Sequence, residues 1–363
     1  FNSFRSSSMI LTNKLLRNLL LVAASTHAAV YPTSPDSTPP TQWSSMSSTF
    51  QQHCSPFGIS IFAKDWDQDK FHHACNVLAQ MLDNDLDGCA DDNNVVSTMR
   101  KRQMAMTMFP TEDSVNYNLV PENMAIQGLY ASETNPSCSG SSETSNCRDA
   151  ALEEIMHLVT VGGVSPAYPS TYGVCYSADS SKSTMQTHMD TARGGFFTSV
   201  PSSYPSGAIY HYDDKTCAYD CQGTEFFYWA LTSYLNGQDA RVADNMEEWE
   251  ASSRSDLMNK APGMYDLFNS GTATTSMVLL SPAGVLPGTG GLGAKSTYLP
   301  TSQTCANGCA LDGTGCGTLG NSNVENINKC TGVVAPTPTP PTAPTPTPPV
   351  PTPPVPTPPV PTP

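Results

Sequence analysis

The sequence predicts an α+β fold: a mainly helical, disulfide-braced globular domain with a small sheet, followed by a disordered Pro/Thr-rich tail. Three observations lead there. All twelve cysteines lie beyond residue 50, and an even number in an exported chain makes six disulfides the default. Several segments repeat apolar residues at helical spacing, whereas one, residues 103–109, alternates as a strand does. Of the 29 residues from Ala335 to Pro363, 16 are proline and most of the rest threonine, so this segment has no core to bury.

Residues 1–29 read as upstream residues and a signal peptide. Lys14 and Arg17 precede the apolar run Leu19 to Ala24, and small residues follow to Ala29, with cleavage expected near Ala28. That run is too short to span a bilayer, and no later stretch approaches the roughly 20 apolar residues a spanning helix needs. The protein is therefore expected to be secreted, extracellular or at the cell surface, with no membrane span. The exported part carries 14 basic against 32 acidic residues, a balance of −18 that disfavours nucleic acid and suits a binder of cations.

Residues 30–53, rich in Ser, Thr and Pro, read as a flexible leader. Residues 54–300 form the globular domain. Within it, Asp69 to Leu82 places Phe71, Cys75, Leu78 and Leu82 on one helical face. Gln103 to Phe109 alternates Met104, Met106 and Met108 with smaller or polar residues, as a strand. Arg148 to Val161 reads as a helix ended by Gly162-Gly163, and Ser180 to Arg193 as one ended by Gly194-Gly195. Thr224 to Leu235 is an apolar, aromatic helix whose Phe226 to Trp229 belong to a core rather than to a carbohydrate platform, and Asp239 to Asn259 continues as polar helix.

The Gly-rich stretch 287–293 lacks the residues of a phosphate loop and reads as a connector. Residues 301–334 form a small Cys-rich segment, for which a thiolate zinc site on Cys305, Cys309, Cys316 and Cys330 competes with disulfides. Cys138 and Cys147, on either side of a Ser-rich loop, are near enough in sequence to pair. Residues 335–363 form a Pro/Thr-rich stalk of polyproline II, on the order of 90 Å at about 3.1 Å per residue, open to O-glycosylation and to cell-wall or matrix association. Its repeat is still running at Pro363, so a longer chain is expected.

Asp83-Asn84-Asp85-Leu86-Asp87-Gly88-Cys89-Ala90-Asp91 follows a helix and sets carboxylates at loop positions 1, 3, 5 and 9, with Gly at position 6. This is the core of an EF-hand, whose glycine lets oxygens converge on a hard cation. Asn94 stands where the bidentate Glu belongs, so a weak structural calcium site is expected, in the range of roughly 10⁻⁴ to 10⁻³ M. The alternative is an acidic turn that binds nothing.

In R-D-A-A-L-E-E-I-M-H-L-V, Glu153 and Glu154 lie four and three residues before His157, so both carboxylates reach the imidazole on a helix whose other residues are apolar. Buried charges need partners, and a metal is a strong one. The segment resembles the zincin metalloproteases, whose helix reads H-E-x-x-H; here it reads E-E-x-x-H. The resemblance implies Glu153 and His157 as ligands of zinc or another divalent metal, Glu154 as general base, and a peptide or protein substrate.

It also implies a further ligand from a later helix, either Glu225 in T-E-F-F-Y-W-A-L or Asp190 in T-H-M-D-T-A-R-G-G, with His211 and Tyr212 orienting substrate or stabilising an oxyanion. A carboxylate in place of the first histidine weakens the metal as a Lewis acid and favours harder cations such as manganese or calcium. The competing view is a non-catalytic, calcium-binding cell-wall or extracellular-matrix module. In that view Glu153 and Glu154 pair with Arg148, Arg193 or solvent, and His157 is a core residue. No G-x-S-x-G elbow occurs, and paired cysteines leave no nucleophilic thiol.

Overall fold

The computed structural model describes residues 39–83, 88–120, 125–138, 149–174, 182–238, 247–269 and Cys305. The signal peptide, residues 84–87 of the calcium-type loop, Cys147, the Gly-rich connector, the Cys-rich segment other than Cys305, and the Pro/Thr tail lie outside the described residues.

Four strands, β1 (Gln52–Cys54), β2 (Ser60–Ala63), β3 (Met104–Phe109) and β4 (Ala125–Tyr130), lie side by side in that order. β1 and β2 are antiparallel, whereas β2, β3 and β4 are mutually parallel. Parallel pairing requires a crossover, and two helices, α1 (Gln68–Leu82) and α2 (Asn93–Lys101), provide it between β2 and β3. Among the described residues the other longer helices are α3 (Ala151–Val159), α4 (Thr184–Ala192), α5 (Tyr219–Tyr234), α6 (Arg254–Lys260) and α7 (Pro262–Asn269). The fold is thus mainly helical with one small sheet, and among the described residues no helix is long and apolar enough to cross a membrane.

The alternating pattern of 103–109 gives the expected strand, but all six residues of β3 are buried. Met104, Met106 and Met108 enter the main core, while Ala105 and Phe109 face a second cluster with Trp43, Met46, Phe50 and Phe62. Of the Ser/Thr/Pro-rich leader 30–53, residues 39–53 are described, and that second cluster packs them on the sheet. Thr41–Ser48 is a 3-10 helix that sets Trp43 and Met46 over the sheet, and Phe50 stacks edge-to-face on Phe109 at 5.5 Å. Three large apolar side chains among serines and threonines suffice to hold the segment down.

Helix ends follow local chemistry. The Asp67 side chain accepts from the amides of Asp69 and Lys70 to start α1, and Asp92 does the same for α2 through Asn94 and Val95. The second Asp92 oxygen accepts from the Tyr168 hydroxyl at 2.6 Å, so both its oxygens are committed within the fold. Ser183 and Gln186 form a capping box on α4, and Gly194, at φ 75°, ends it as the sequence suggests.

Gly162-Gly163 does not end the preceding helix. The chain leaves α3 through a π-helical turn, Thr160–Val164, that carries both glycines onward. A Cβ on Gly163 would come within 2.6 Å of Val95 and 2.8 Å of Met99, and one on Gly162 within 2.5 Å of Met104. These glycines serve the close approach of α2 and β3, not a stop. Of the polar helix expected over 239–259, residues 239–246 lie outside the described residues. Beyond them, Trp249 is completely buried, bridges Tyr210 in an extended pair and donates its indole N–H to Ser233 and Ala251, so the chain is not helical there and α6 follows as a separate helix.

Disulfides join Cys54 to Cys75, Cys89 to Cys305 and Cys217 to Cys221, and Cys138 is disulfide-bonded as well. The first ties β1 to α1, a closure worth about 3 kcal/mol for a loop of this size. The second corrects the thiolate zinc reading for Cys305, whose sulfur is bonded to Cys89 beside the calcium-type loop.

Candidate metal centre

α3 carries Glu153 and Glu154 in its first turn and His157 in its last, the placement that the helix dipole favours for anions and a cation. The helix packs against α1, β4 and α5, so its apolar residues Leu152, Ile155, Met156, Leu158 and Val159 are all buried. α5 presents Glu225 from the opposite side. This helix is buried nearly all round: Phe226, Phe227, Tyr228 and Trp229 are core residues, as expected. Its first turn is pinned by the Cys217–Cys221 disulfide, by the Gln222 amide donating to the Cys217 carbonyl and by the Tyr210 hydroxyl donating to the Gln222 carbonyl.

Glu153, His157 and Glu225 come together, their ligand atoms all within 4.8 Å of one another. His157 Nε2 lies 3.3 Å from Glu225 Oε2, and the imidazole side chain is only 8 % exposed. Although the carboxylate is so close, Nε2 makes no aligned hydrogen bond. A buried nitrogen 3.3 Å from one carboxylate, in a cluster with a second, matches the donor set of a divalent cation, whose charge would balance both acids.

Burial alone would lower the His157 pKa, but the Glu225 carboxylate, helped by Glu154, outweighs it and holds the imidazole well above its ordinary value. A proton and a metal therefore compete for the same nitrogen. Tyr228 closes one side of the ring, edge-on at 6.1 Å.

Glu154 occupies the other edge of the imidazole. Its Oε2 is 3.7 Å from His157 Nδ1 and accepts a hydrogen bond from Gln127 Nε2 of β4 at 2.5 Å. Gln127 carried no signal in the sequence, since a lone glutamine on a strand marks nothing until the sheet is set against α3. Neither glutamate turns to Arg193, whose guanidinium is buried beside Asp190 and donates to the Phe197 carbonyl.

Of the two candidates for a later ligand, Asp190 does not join the cluster. Its carboxylate is taken by Lys182 Nζ at 2.6 Å and by the Tyr219 hydroxyl, 3.1 Å from each oxygen, with Arg193 at 3.9 Å. His188, its neighbour on α4, packs against Gly263 of α7. Tyr212 does lie beside the cluster: burial first, then the charges of Glu225, Glu248 and Glu153, push its hydroxyl pKa up. His211 sits further out, its Nδ1 4.0 Å from Glu250 and its ring tilted against that of Tyr204 at 5.6 Å.

Of the calcium-type loop, Asp83 and Asp91 are described, while Asp85 and Asp87 lie outside the described residues. Asp83 is completely buried at the end of α1 and accepts from the Gly88 amide at 2.7 Å, and the Asp91 amide closes the loop onto the Leu82 carbonyl. Gly88 itself adopts φ 88°, the left-handed turn that position 6 of such a loop needs. No known protein family, no curated protein and no solved structure matches this chain.

Proposed function

We propose that the protein is a secreted, metal-dependent hydrolase of the peptidase type, with a divalent ion held by Glu153, His157 and Glu225. The observation that carries this reading is the convergence of those three side chains around a buried, unbonded Nε2. Two carboxylates and one imidazole form an open set of three protein ligands, the number that leaves a position for water in catalytic sites. A bound ion of this kind lowers the pKa of its water and polarises a carbonyl.

The chain's own residues set the rest. His157 is buried whereas Glu153, Glu154 and Glu225 are partly exposed, so water and substrate reach the centre past its carboxylates. Tyr212, near Glu225 and Glu153, is the hydroxyl placed to meet a developing oxyanion. Zinc is one candidate ion; two carboxylates favour manganese or another harder cation. Disulfides suit an exported protein, and the turn of Asp83, Gly88 and Asp91 suits a weak calcium loop where calcium is plentiful.

A second reading has its own support. His157 and Glu225 are mostly buried, as in a site that only braces a non-catalytic extracellular module. Metal analysis and peptide hydrolysis by the purified chain separate the two. The hydrolase reading expects about one equivalent of transition metal, loss of that metal in His157→Ala, and proteolysis abolished by chelator. Metal lost in the variant without any chelator-sensitive hydrolysis leaves the bracing role. Equal metal content in both proteins sinks the proposed site and leaves α3 a structural helix of a non-catalytic module.

A further inference from the structure

We infer that Glu154 is the positioning carboxylate of this centre rather than its base, and that Gln127 holds it in that role. The inference rests on the metal reading above and concerns which edge of His157 each glutamate serves. Along one helix, Glu153 stands four residues before His157 and Glu154 three, while adjacent residues point about 100° apart. The two glutamates therefore approach one imidazole from different directions. Glu225 Oε2 lies 3.3 Å from Nε2, Glu153 clusters with that pair, and Glu154 Oε2 sits 3.7 Å from Nδ1.

A neutral imidazole offers one donor and one acceptor. For Nε2 to present its lone pair to a cation, the proton must reside on Nδ1 and needs an acceptor there. Glu154 Oε2 is placed to be that acceptor, and binding at Nε2 would draw the Nδ1–H toward it. The same oxygen accepts from Gln127 Nε2 at 2.5 Å. Gln127 belongs to β4, whose whole length pairs with the buried strand β3. The sheet thus anchors the carboxylate that orients the ligand on α3. An oxygen committed to an amide and an imidazole is poorly placed to take a proton from a metal-bound water. Acids that hold the second nitrogen of a metal-binding histidine raise its basicity, and their loss costs about 10- to 100-fold in metal affinity.

The test measures zinc and cobalt affinity by chelator competition in full-length wild type, Glu154→Ala, Glu154→Gln and Gln127→Ala, with circular dichroism to confirm folding. The His157 tautomer is read from long-range ¹⁵N–¹H NMR spectra of the zinc-bound proteins. A positioning role expects an affinity loss of about 10- to 100-fold in Glu154→Ala, a smaller loss in Glu154→Gln, whose amide oxygen still accepts, and a loss in the same direction in Gln127→Ala. The wild-type spectrum should show the proton on Nδ1. Glu154→Ala binding zinc within twofold of wild type overturns the inference while the metal centre stands. Wild type that binds neither ion overturns the metal reading itself, and the inference with it.

Discussion

His73 and His157 are both buried imidazoles set against carboxylates, and the protein treats them in opposite ways. His73 Nε2 meets Asp149 Oδ2 at 2.7 Å in an aligned hydrogen bond, with both side chains almost fully buried. The other Asp149 oxygen accepts from the amides of Asn135 and Ala151, at the entry to α3. That pair is saturated by the protein. Around His157 three carboxylates gather, yet Nε2 bonds to none of them. The first arrangement fastens α1 to the start of α3; the second, one helix further in, leaves converging lone pairs that only a proton or a cation can satisfy. Burial and a neighbouring acid are thus common to structural and ligand-binding histidines, and the alignment of the hydrogen bond separates them.

The largest effect is expected at the saturated pair. Asp149→Ala leaves His73 buried without its acceptor and frees two amides, a change worth about 3–5 kcal/mol. Denaturant unfolding of metal-free protein reads it, and a loss below about 1 kcal/mol would place His73 among residues whose bond is incidental. Next comes the metal centre. Zinc or manganese at 100 times its Kd should stabilise wild type by about 2.7 kcal/mol, and Glu225→Gln should show no such gain. An equal gain in both proteins would mean that the ion binds elsewhere.

Gly163 lies at the exit of the helix that carries His157. The π-turn leads directly out of α3, and a methyl group there would strike Val95 and Met99 of α2. Gly163→Ala is therefore expected to cost about 1–3 kcal/mol by overpacking. Because the displaced turn adjoins His157, metal affinity should fall with it. A stability loss at unchanged affinity would show that α3 holds its site independently of its exit.

What was legible in the sequence follows the range of the interaction. Caps and periodicity are local, so α1 and β3 emerge within one residue of their observed bounds and Gly194 marks the end of α4, whereas the starts of α4 and α5 are missed by four and five residues. The convergence of Glu153 and His157 is fixed by helical spacing, and Glu225 was reachable as an acid on a later apolar helix. Gln127 was not, because only the packing of β4 on α3 brings it to Glu154. The same holds for Trp43, Met46 and Phe50, whose role in covering the sheet was hidden by the serines between them. Gly162-Gly163 misled for a related reason: glycine marks both helix ends and close contacts, and the sequence does not show what lies across from it.

A third histidine supplies the smallest prediction. His188 has a glycine, not an acid, across from it: Gly263 packs so closely that a Cβ there would overlap the ring. Burial lowers its pKa below 6.5, and the charge of Asp266 offsets this only in part. A depressed folded-state pKa means that the native protein holds His188 neutral while the unfolded chain protonates it near 6.5. The stability it contributes is therefore complete above about pH 6.5 and declines as the pH falls through the folded-state value. Unfolding free energies of wild type and His188→Gln, measured from pH 7.5 down to 5, should diverge in slope, with the variant flatter. Parallel curves would mean that His188 is protonated in the fold as readily as in the unfolded chain, and that Asp266 fully offsets its burial.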